Sequence, residues 1–156
     1  MADISLNFKT DLTIDLTIEN NDLQTDEGLE TAVLISLFTD SRPENTKINL
    51  PSGRDDLRGW WGDQFLEEST DQTGSELWLY LRGKRTNQTI KNIEDACKNA
   101  LNWLIIDGIA QSVNVTTIIE NQFDVLIQIE ILRPNNNIEN YKYFFNWQAQ
   151  ELKRIV

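Results

Sequence analysis

The sequence predicts an α+β fold in which a small, mostly antiparallel sheet, with strands from both chain ends, packs on two or three central helices. Three patterns support this prediction: an apolar–polar alternation near the N-terminus, apolar residues at helical spacing in the middle, and a second alternation in the C-terminal half. The length of 156 residues fits a single domain spanning residues 1–156.

The N-terminal part of the chain predicts a strand, a turn and a helix. Residues 11–19 alternate between apolar and polar side chains, as a half-buried strand does, and the Asn-Asn-Asp run at 20–22 predicts a turn. Thr25 or Asp26 can cap the helix that follows. The inward-facing stripe of that helix consists of Leu29, Ala32, Val33, Ser36 and Leu37.

The middle of the chain contains a long irregular loop and the longest predicted helix. Residues 41–73 lack a sustained period and are interrupted by proline and glycine; a loop of this length in a compact domain is typically functional or ordered by a partner. Ser75 can cap a short helix, and Thr86 is predicted to begin the long one. The apolar stripe of the long helix is formed by Ile90, Ile93, Cys97, Ala100, Leu101 and Leu104.

The C-terminal part predicts two strands and a third alternating segment. Residues 113–119 and 125–131 alternate with period two, and residues 141–147 place aromatic side chains on one face. This third segment, within a partner-binding region at 141–156, and the N-terminal strand are the predicted sheet edges, where another chain can add a strand. The alternative is that residues 141–147 form an internal strand of the domain's own sheet.

Composition excludes several classes of function. The net charge of −11 counts against binding to nucleic acid or to an anionic membrane surface. The absence of histidine excludes histidine-based catalysis and histidine zinc sites, and the single Cys97 excludes an intrachain disulfide and a cysteine metal cluster. No apolar run approaches the ~18 residues of a membrane span, and no signal peptide is recognisable. We therefore expect a protein made in a cytoplasm that uses no metal and no cofactor.

Two acid pairs are the best candidates for acid–base chemistry in a chain without histidine. These pairs, Asp55-Asp56 and Glu67-Glu68, lie in the irregular loop. A glycosidase places two carboxyl groups on either side of a sugar-sized cleft and raises the pKa of one of them. A carboxylate-based glycan hydrolase is therefore the enzymatic alternative, whereas the simpler interpretation is that these are solvated acids in a chain that carries 25 of them.

A tryptophan pair is the sharpest local feature of the sequence. The run Arg58-Gly59-Trp60-Trp61-Gly62-Asp63 places two adjacent indoles in the loop between two glycines. Tryptophan and arginine are enriched at the energetic centres of protein interfaces. The loop can therefore serve an interface, or it can fold back so that the indoles fill the core.

Four runs of residues, in this order, resemble the Mu-like phage baseplate wedge proteins. They are Asp22 to Asp40, Arg58 to Asp63, Gly74 to Leu79, and Ala100 to Gly108. That family is similar in turn to the small wedge protein of larger contractile-tailed phages, whose family was once labelled lysozyme-like. One departure is that Trp103 is followed by Leu104-Ile105-Ile106, where the larger-phage branch has a Glu-Pro-Arg triplet.

The resemblance implies a structural subunit of a contractile phage tail with no catalytic site, and it makes a glycan hydrolase of a phage tail the alternative. It implies six-fold copies around a central hub or spike, with contacts to other wedge subunits and to the first ring of the tail sheath. Such a protein is assembled in the bacterial host cytoplasm and carried in the virion tail baseplate. The predicted interface residues are Arg58, Gly59, Trp60, Trp61, Asp63, Tyr141, Tyr143, Phe145 and Trp147.

Overall fold

A computed structural model describes residues 3–8, 14–26, 28–43, 50, 56–65, 72–80, 84–121, 124–146 and 151–155. The fold is α+β, and every named strand pair is antiparallel. The strands are β1 (Asp3–Ile4), β2 (Leu6–Phe8), β3 (Ile14–Leu16), β4 (Ile18–Glu19), β5 (Asp22–Leu23), β6 (Thr25–Asp26), β7 (Ser112–Ile119), β8 (Asp124–Leu132), β9 (Ile138–Asn146) and β10 (Glu151–Ile155). The α-helices are α1 (Glu30–Phe38), α2 (Asn87–Ala100) and the short α3 (Trp103–Ile106), and 3-10 helices span Trp61–Phe65 and Glu76–Leu79.

The C-terminal half forms a four-stranded antiparallel sheet with the order β10-β9-β8-β7. Strand β9 therefore pairs on both sides, with β8 and with β10, and the prediction that residues 141–147 form a sheet edge is wrong. The physical reason is that Glu151–Ile155, which carried no clear alternation, adds a further strand on the outer side of β9. Residue Trp147 lies outside the described residues.

The N-terminal strands pair with one another, and in the described residues none of them joins the four-stranded sheet, so the prediction of one sheet with strands from both chain ends is wrong. The predicted strand at 11–19 is divided into β3 and β4, and residues 11–13 lie outside the described part. The predicted turn is confirmed, because Asn20 and Asn21 both have positive φ angles, 53° and 65°, between the paired strands β4 and β5.

Helix α1 begins later than its sequence signals predict. Thr25 and Asp26, the predicted caps, form β6 instead, and the residue before the helix is Leu29, which provides no side-chain cap. Its backbone N–H donates to Glu139 Oε2 and to the Tyr141 hydroxyl, both at 3.1 Å. The Leu29 N–H at the start of α1 is therefore satisfied by residues 110 and 112 positions further along the chain. Local sequence cannot indicate contacts over this distance.

Helix α2 follows its sequence signals closely. The Thr86 side chain accepts a hydrogen bond from the Thr89 N–H at 3.1 Å, and Lys98 pairs with Glu94 at 2.6 Å. The predicted stripe is interrupted at Leu101, where the chain leaves α2 before α3 begins. The core joins α1, α2, α3 and the inner face of the sheet; its fully buried side chains include Val33, Leu34, Leu37, Ile93, Cys97, Leu101, Leu104, Ile127, Ile129, Ile131 and Tyr143.

The lone thiol provides a direct test of this core. Burial raises the pKa of Cys97 from 9.0 to about 12, and nearby Glu94 adds to the effect. Because the folded thiol stays protonated and enclosed, we expect Ellman's reagent at pH 8 to react with the native chain on the order of a thousandfold more slowly than with the chain in denaturant. Fast labelling of the native chain would contradict the placement of Cys97 in the core.

Candidate functional site

Arg58 fixes the entry to the tryptophan loop. Its guanidinium forms an ion pair with Asp40, next to the end of α1, and lies 4.4 Å from the centroid of the Trp78 ring. Trp78 is itself held by its indole N–H, which donates to the Ser41 carbonyl at 3.0 Å. Arg58 adopts a positive φ of 52°, an unusual conformation for a non-glycine residue that these contacts offset. Arg58 therefore acts as an anchor of the loop.

The two glycines of the motif allow close packing that a side chain would prevent. Gly59 has a φ of 98° and lies against Arg42, so a β-carbon there would be 3.1 Å from that residue's own β-carbon. Gly62 is buried, and a β-carbon at this position would lie 2.3 Å from the Trp60 ring. The Trp60 ring thus rests on the bare backbone of Gly62, which restrains the ring while leaving part of it exposed.

Asp63 secures the other side of the loop. Its carboxylate Oδ1 accepts the Thr73 backbone N–H at 3.2 Å, and its own N–H donates to the Trp60 carbonyl at 3.2 Å. Thr73 precedes Gly74 and Ser75, and the Ser75 N–H donates to the Thr39 carbonyl at 2.9 Å. Both sides of the motif are therefore connected to the end of α1.

Three aromatic side chains project from this anchored loop and form what we call the aromatic patch: Trp60, Trp61 and Phe65. The rings of Trp60 and Trp61 are 5.7 Å apart, and those of Trp61 and Phe65 meet nearly edge to face at 6.1 Å. Trp61 is 70% exposed and Phe65 is 77% exposed. Neither indole fills the core, since Trp60 is 43% exposed as well, so the core-filling alternative for the pair is wrong.

Phe65 is the member of the patch that sequence reasoning missed. The segment Trp61–Phe65 is a 3-10 helix, which brings the rings of its first and last residues into contact. The available signal in the sequence was a glycine, Gly62, directly after Trp61, followed by an aromatic residue four positions after Trp61.

The predicted C-terminal interface residues have a different environment. Tyr143 and Phe145 are buried in the core, and the Tyr143 ring meets Phe38 edge to face at 5.2 Å. Tyr141 is half-buried, and its hydroxyl donates to Glu139 Oε2 at 2.5 Å beside the α1 N-terminus. The expectation that this face is open to a partner is wrong for Tyr143 and Phe145, because both side chains lie on the inner face of the sheet and are buried there, Tyr143 against Phe38 of α1.

Of the four acids considered for catalysis, only Asp56 is among the described residues. Asp56 Oδ1 accepts the Arg58 N–H at 2.9 Å, a local contact that supports the bend at Arg58. Asp55, Glu67 and Glu68 lie outside the described residues. Among the residues that are described, no three metal-binding side chains come together, and none of the helices there is both long and apolar enough to cross a membrane.

Comparison with known proteins identifies the family. A family model for phage protein GP46 matches residues 29–138. The chain belongs to the GP46 family of phage proteins. It is 35% identical over 129 residues to "Baseplate protein gp46" of Escherichia phage Mu, which covers 83% of this chain and 86% of that protein. It is 33% identical over 133 residues to "Mu-like prophage FluMu protein gp46" of Haemophilus influenzae, which covers 85% of this chain and 89% of that protein.

The GP46 match confirms the resemblance to Mu-like phage baseplate proteins that the sequence runs indicated. The matched region, residues 29–138, contains the whole aromatic patch and the residues that anchor it. It also contains the helices α1, α2 and α3 and the strands β7 and β8. The candidate site is therefore part of the GP46 domain.

Proposed function

We infer that the chain is a structural subunit of a phage tail baseplate and not an enzyme. The observation that carries this conclusion is the 35% identity, over most of both chains, to the baseplate protein gp46 of phage Mu. A baseplate subunit needs rigid, specific surfaces for its neighbours, and the anchored aromatic patch has the properties of such a surface.

We propose a finer assignment as a single-domain wedge component, present in six copies around the central hub or spike and assembled in the host cytoplasm. Its neighbours would be other wedge subunits, the hub or spike, and the first ring of the sheath. The aromatic patch is the proposed contact with one of them. Arg58, Gly59 and Asp63 position the patch, and Trp60, Trp61 and Phe65 make the contact.

The patch suits an interface for energetic reasons. Aromatic side chains provide a large apolar area and lose little conformational entropy when they are buried by a partner. Here the loss is smaller still, because the ion pair of Arg58 with Asp40 and the hydrogen bond from Thr73 to Asp63 already hold the loop. Tryptophan residues that are restrained before binding are typical energetic centres of an interface.

The hydrolase alternative gains no support from the described residues. Asp56 accepts a backbone N–H in a local turn, which is a structural role. A general acid needs a carboxyl group with a raised pKa in a cleft that faces a second carboxylate. The GP46 family relationship favours a structural role, because the curated relative from phage Mu is named for the baseplate.

The double substitution Trp61→Ala and Phe65→Ala tests the proposed contact. Each side chain is mostly exposed, so we expect the variant to fold normally. It should bind its neighbour at least about thirtyfold more weakly, because truncating an energetic centre of an interface, a role in which tryptophan is enriched, costs about 2 kcal/mol or more. The measurement is the amount of variant incorporated into purified baseplates of a phage or prophage that lacks the wild-type copy.

The matched control is Ile138→Ala, which truncates another half-exposed apolar residue away from the loop. Trp61→Phe should retain most incorporation because it keeps an aromatic ring in place. If the double variant enters baseplates as well as Ile138→Ala does, the aromatic patch is not the contact.

A further inference from the structure

Strand β7 is an open edge of the four-stranded sheet. The sheet order places β8 on one side of β7, and no described strand pairs with the other side. The Glu120 N–H, directly after β7, donates to the Asp124 carbonyl, so the backbone at this position faces β8. Because backbone groups alternate in direction along an antiparallel strand, every second residue of β7, counted back from Ile119 through Thr117, directs its N–H and C=O away from β8. These groups can pair with a strand of another molecule.

The sequence of β7 gives this edge a strong tendency to pair. Residues 113–119 are Val-Asn-Val-Thr-Thr-Ile-Ile, so six of the seven are β-branched, none is charged and none is proline. Uncharged segments of this length with high β-propensity aggregate when they are exposed on an edge. The opposite edge strand, β10, contains Glu151, Lys153 and Arg154, and charged residues discourage unwanted pairing. Strand β7 has no such protection in its own sequence.

A side chain of α2 occupies the open side of β7. Glu94 Oε2 accepts the Thr117 N–H at 3.3 Å and the Thr117 hydroxyl at 3.1 Å. The Thr117 N–H is one of the groups that point away from β8, and in an added strand a backbone carbonyl would accept it. The Glu94 carboxylate therefore takes the place of the carbonyl of a partner strand.

Lys98 holds this carboxylate in position. The Lys98 Nζ is 2.6 Å from Glu94 Oε1, the second carboxylate oxygen, and the two residues lie one helical turn apart. The hydrogen bond from Lys98 lowers the pKa of Glu94, and the contacts from Thr117 lower it further. Glu94 therefore stays charged at neutral pH, with one oxygen directed to the strand and the other to the lysine.

We propose that Glu94 is an edge-protecting residue, which prevents β7 from pairing with the β7 strand of a second copy of this chain. Two identical edges can pair in antiparallel orientation, because each offers the same alternation of N–H and C=O groups. Here the pairing has to break the hydrogen bond from Thr117 to Glu94, and it brings a charged carboxylate of each copy to the shared edge. The inference concerns the free chain, so it goes beyond the proposed baseplate function and does not rest on it.

Glu94→Ala removes the protecting carboxylate and tests the proposal on the purified full-length chain. We expect the variant to associate at a concentration at least about tenfold lower than the wild-type chain, because the Thr117 N–H is left without its charged acceptor. Light scattering coupled to size-exclusion chromatography over a series of concentrations measures the mass. A variant that stays monomeric wherever the wild-type chain is monomeric would overturn the proposal.

Asp95→Ala is the matched control, because it removes one negative charge from the next residue of α2. Burial raises the pKa of Tyr80, and the charges of Glu76 and Asp95 raise it further, which places the Asp95 carboxylate near Tyr80. We expect Asp95→Ala to associate no more readily than the wild-type chain. If both alanine variants associate equally, the loss of net charge explains the result and the proposal is wrong.

A second substitution establishes that the association uses β7. Ile119 is 45% exposed, so Ile119→Lys adds a charge to the edge strand without disturbing the core. In the Glu94→Ala chain this change should restore the monomer. A double variant that associates as Glu94→Ala does would show that another surface is responsible, and it would overturn the proposal. Thermal unfolding followed by circular dichroism establishes that each variant is folded.

Amide hydrogen exchange tests the contact in the wild-type chain, without any substitution. The Val115 N–H also points to the open side of β7, and among the described residues it has no acceptor. We expect the Thr117 amide to exchange at least about tenfold more slowly than the Val115 amide, because Glu94 accepts its proton in a hydrogen bond. Equal exchange at the two positions would show that Glu94 does not occupy the edge.

Discussion

Deletion of residues 141–156 is expected to abolish cooperative folding of the chain. The deletion removes most of β9 and all of β10, and with them the fully buried Tyr143 and the buried Phe145. It also removes the Tyr141 hydroxyl that accepts the Leu29 N–H at the start of α1. Strand β8 would then present an unpaired apolar edge, which favours aggregation. The measurement is near-ultraviolet circular dichroism together with a thermal unfolding curve.

Lys142→Ala is the control for this deletion, because Lys142 lies in β9 but its side chain is exposed. That variant should retain the wild-type unfolding transition to within about 0.5 kcal/mol. The interpretation of residues 141–156 as a partner-binding extension predicts the opposite result for the deletion, a soluble domain with a sharp transition. Such a domain would show that β9 and β10 contribute little to the core.

The parts of the fold that sequence predicted well are those in which a long periodic pattern and local signals agree. Strands β7 and β8 have eight and nine residues, and α2 has fourteen, so each pattern repeats several times. The Thr86 cap and the pair of Glu94 with Lys98 depend only on residues three or four positions apart. These features could therefore be predicted from the local sequence alone.

The N-terminal region was predicted less well because its structure depends on distant residues. Thr25 and Asp26 are good helix caps by type, yet they pair with Ile4 and Asp3 in a ladder. The N-terminus of α1 is satisfied by Glu139 and Tyr141 instead. Strands of two or three residues repeat their pattern too few times to be distinguished from a loop. They are joined by backbone hydrogen bonds among Ser5, Thr17 and Gln24, which lie 7 to 19 positions apart.

The candidate site shows the same difference between features that local sequence determines and features that depend on distant residues. The sequence located the motif at 58–63 and its residue types, but it could not determine which side chains face the protein. Arg58 faces inward because Asp40 and Trp78, which are 18 and 20 positions away, supply a carboxylate and an aromatic ring. Trp61 is 70% exposed, whereas the Trp60 ring packs over the backbone of Gly62. Only the folded arrangement separates anchoring residues from contact residues.

Leu101→Ala is expected to destabilise the chain by about 2–5 kcal/mol, because Leu101 is fully buried and its truncation leaves a cavity. Its position makes the loss severe: Leu101 follows the last residue of α2, and its carbonyl accepts the Leu104 N–H at 3.1 Å as the chain turns into α3. Its side chain belongs to the same core cluster as Cys97, Leu104 and the inward residues of β8. Urea denaturation measures the change as a shift in midpoint at constant slope.

Ile106→Ala provides the matched control, since it removes an aliphatic side chain of the same size from the same helical region. Ile106 is 75% exposed, so its truncation leaves no cavity and should change the free energy of unfolding by less than about 0.5 kcal/mol. The difference between the two variants mainly measures the effect of burial, because both remove a side chain of the same size and introduce alanine. A loss below about 1 kcal/mol for Leu101→Ala would contradict the placement of Leu101 in the core between α2 and α3.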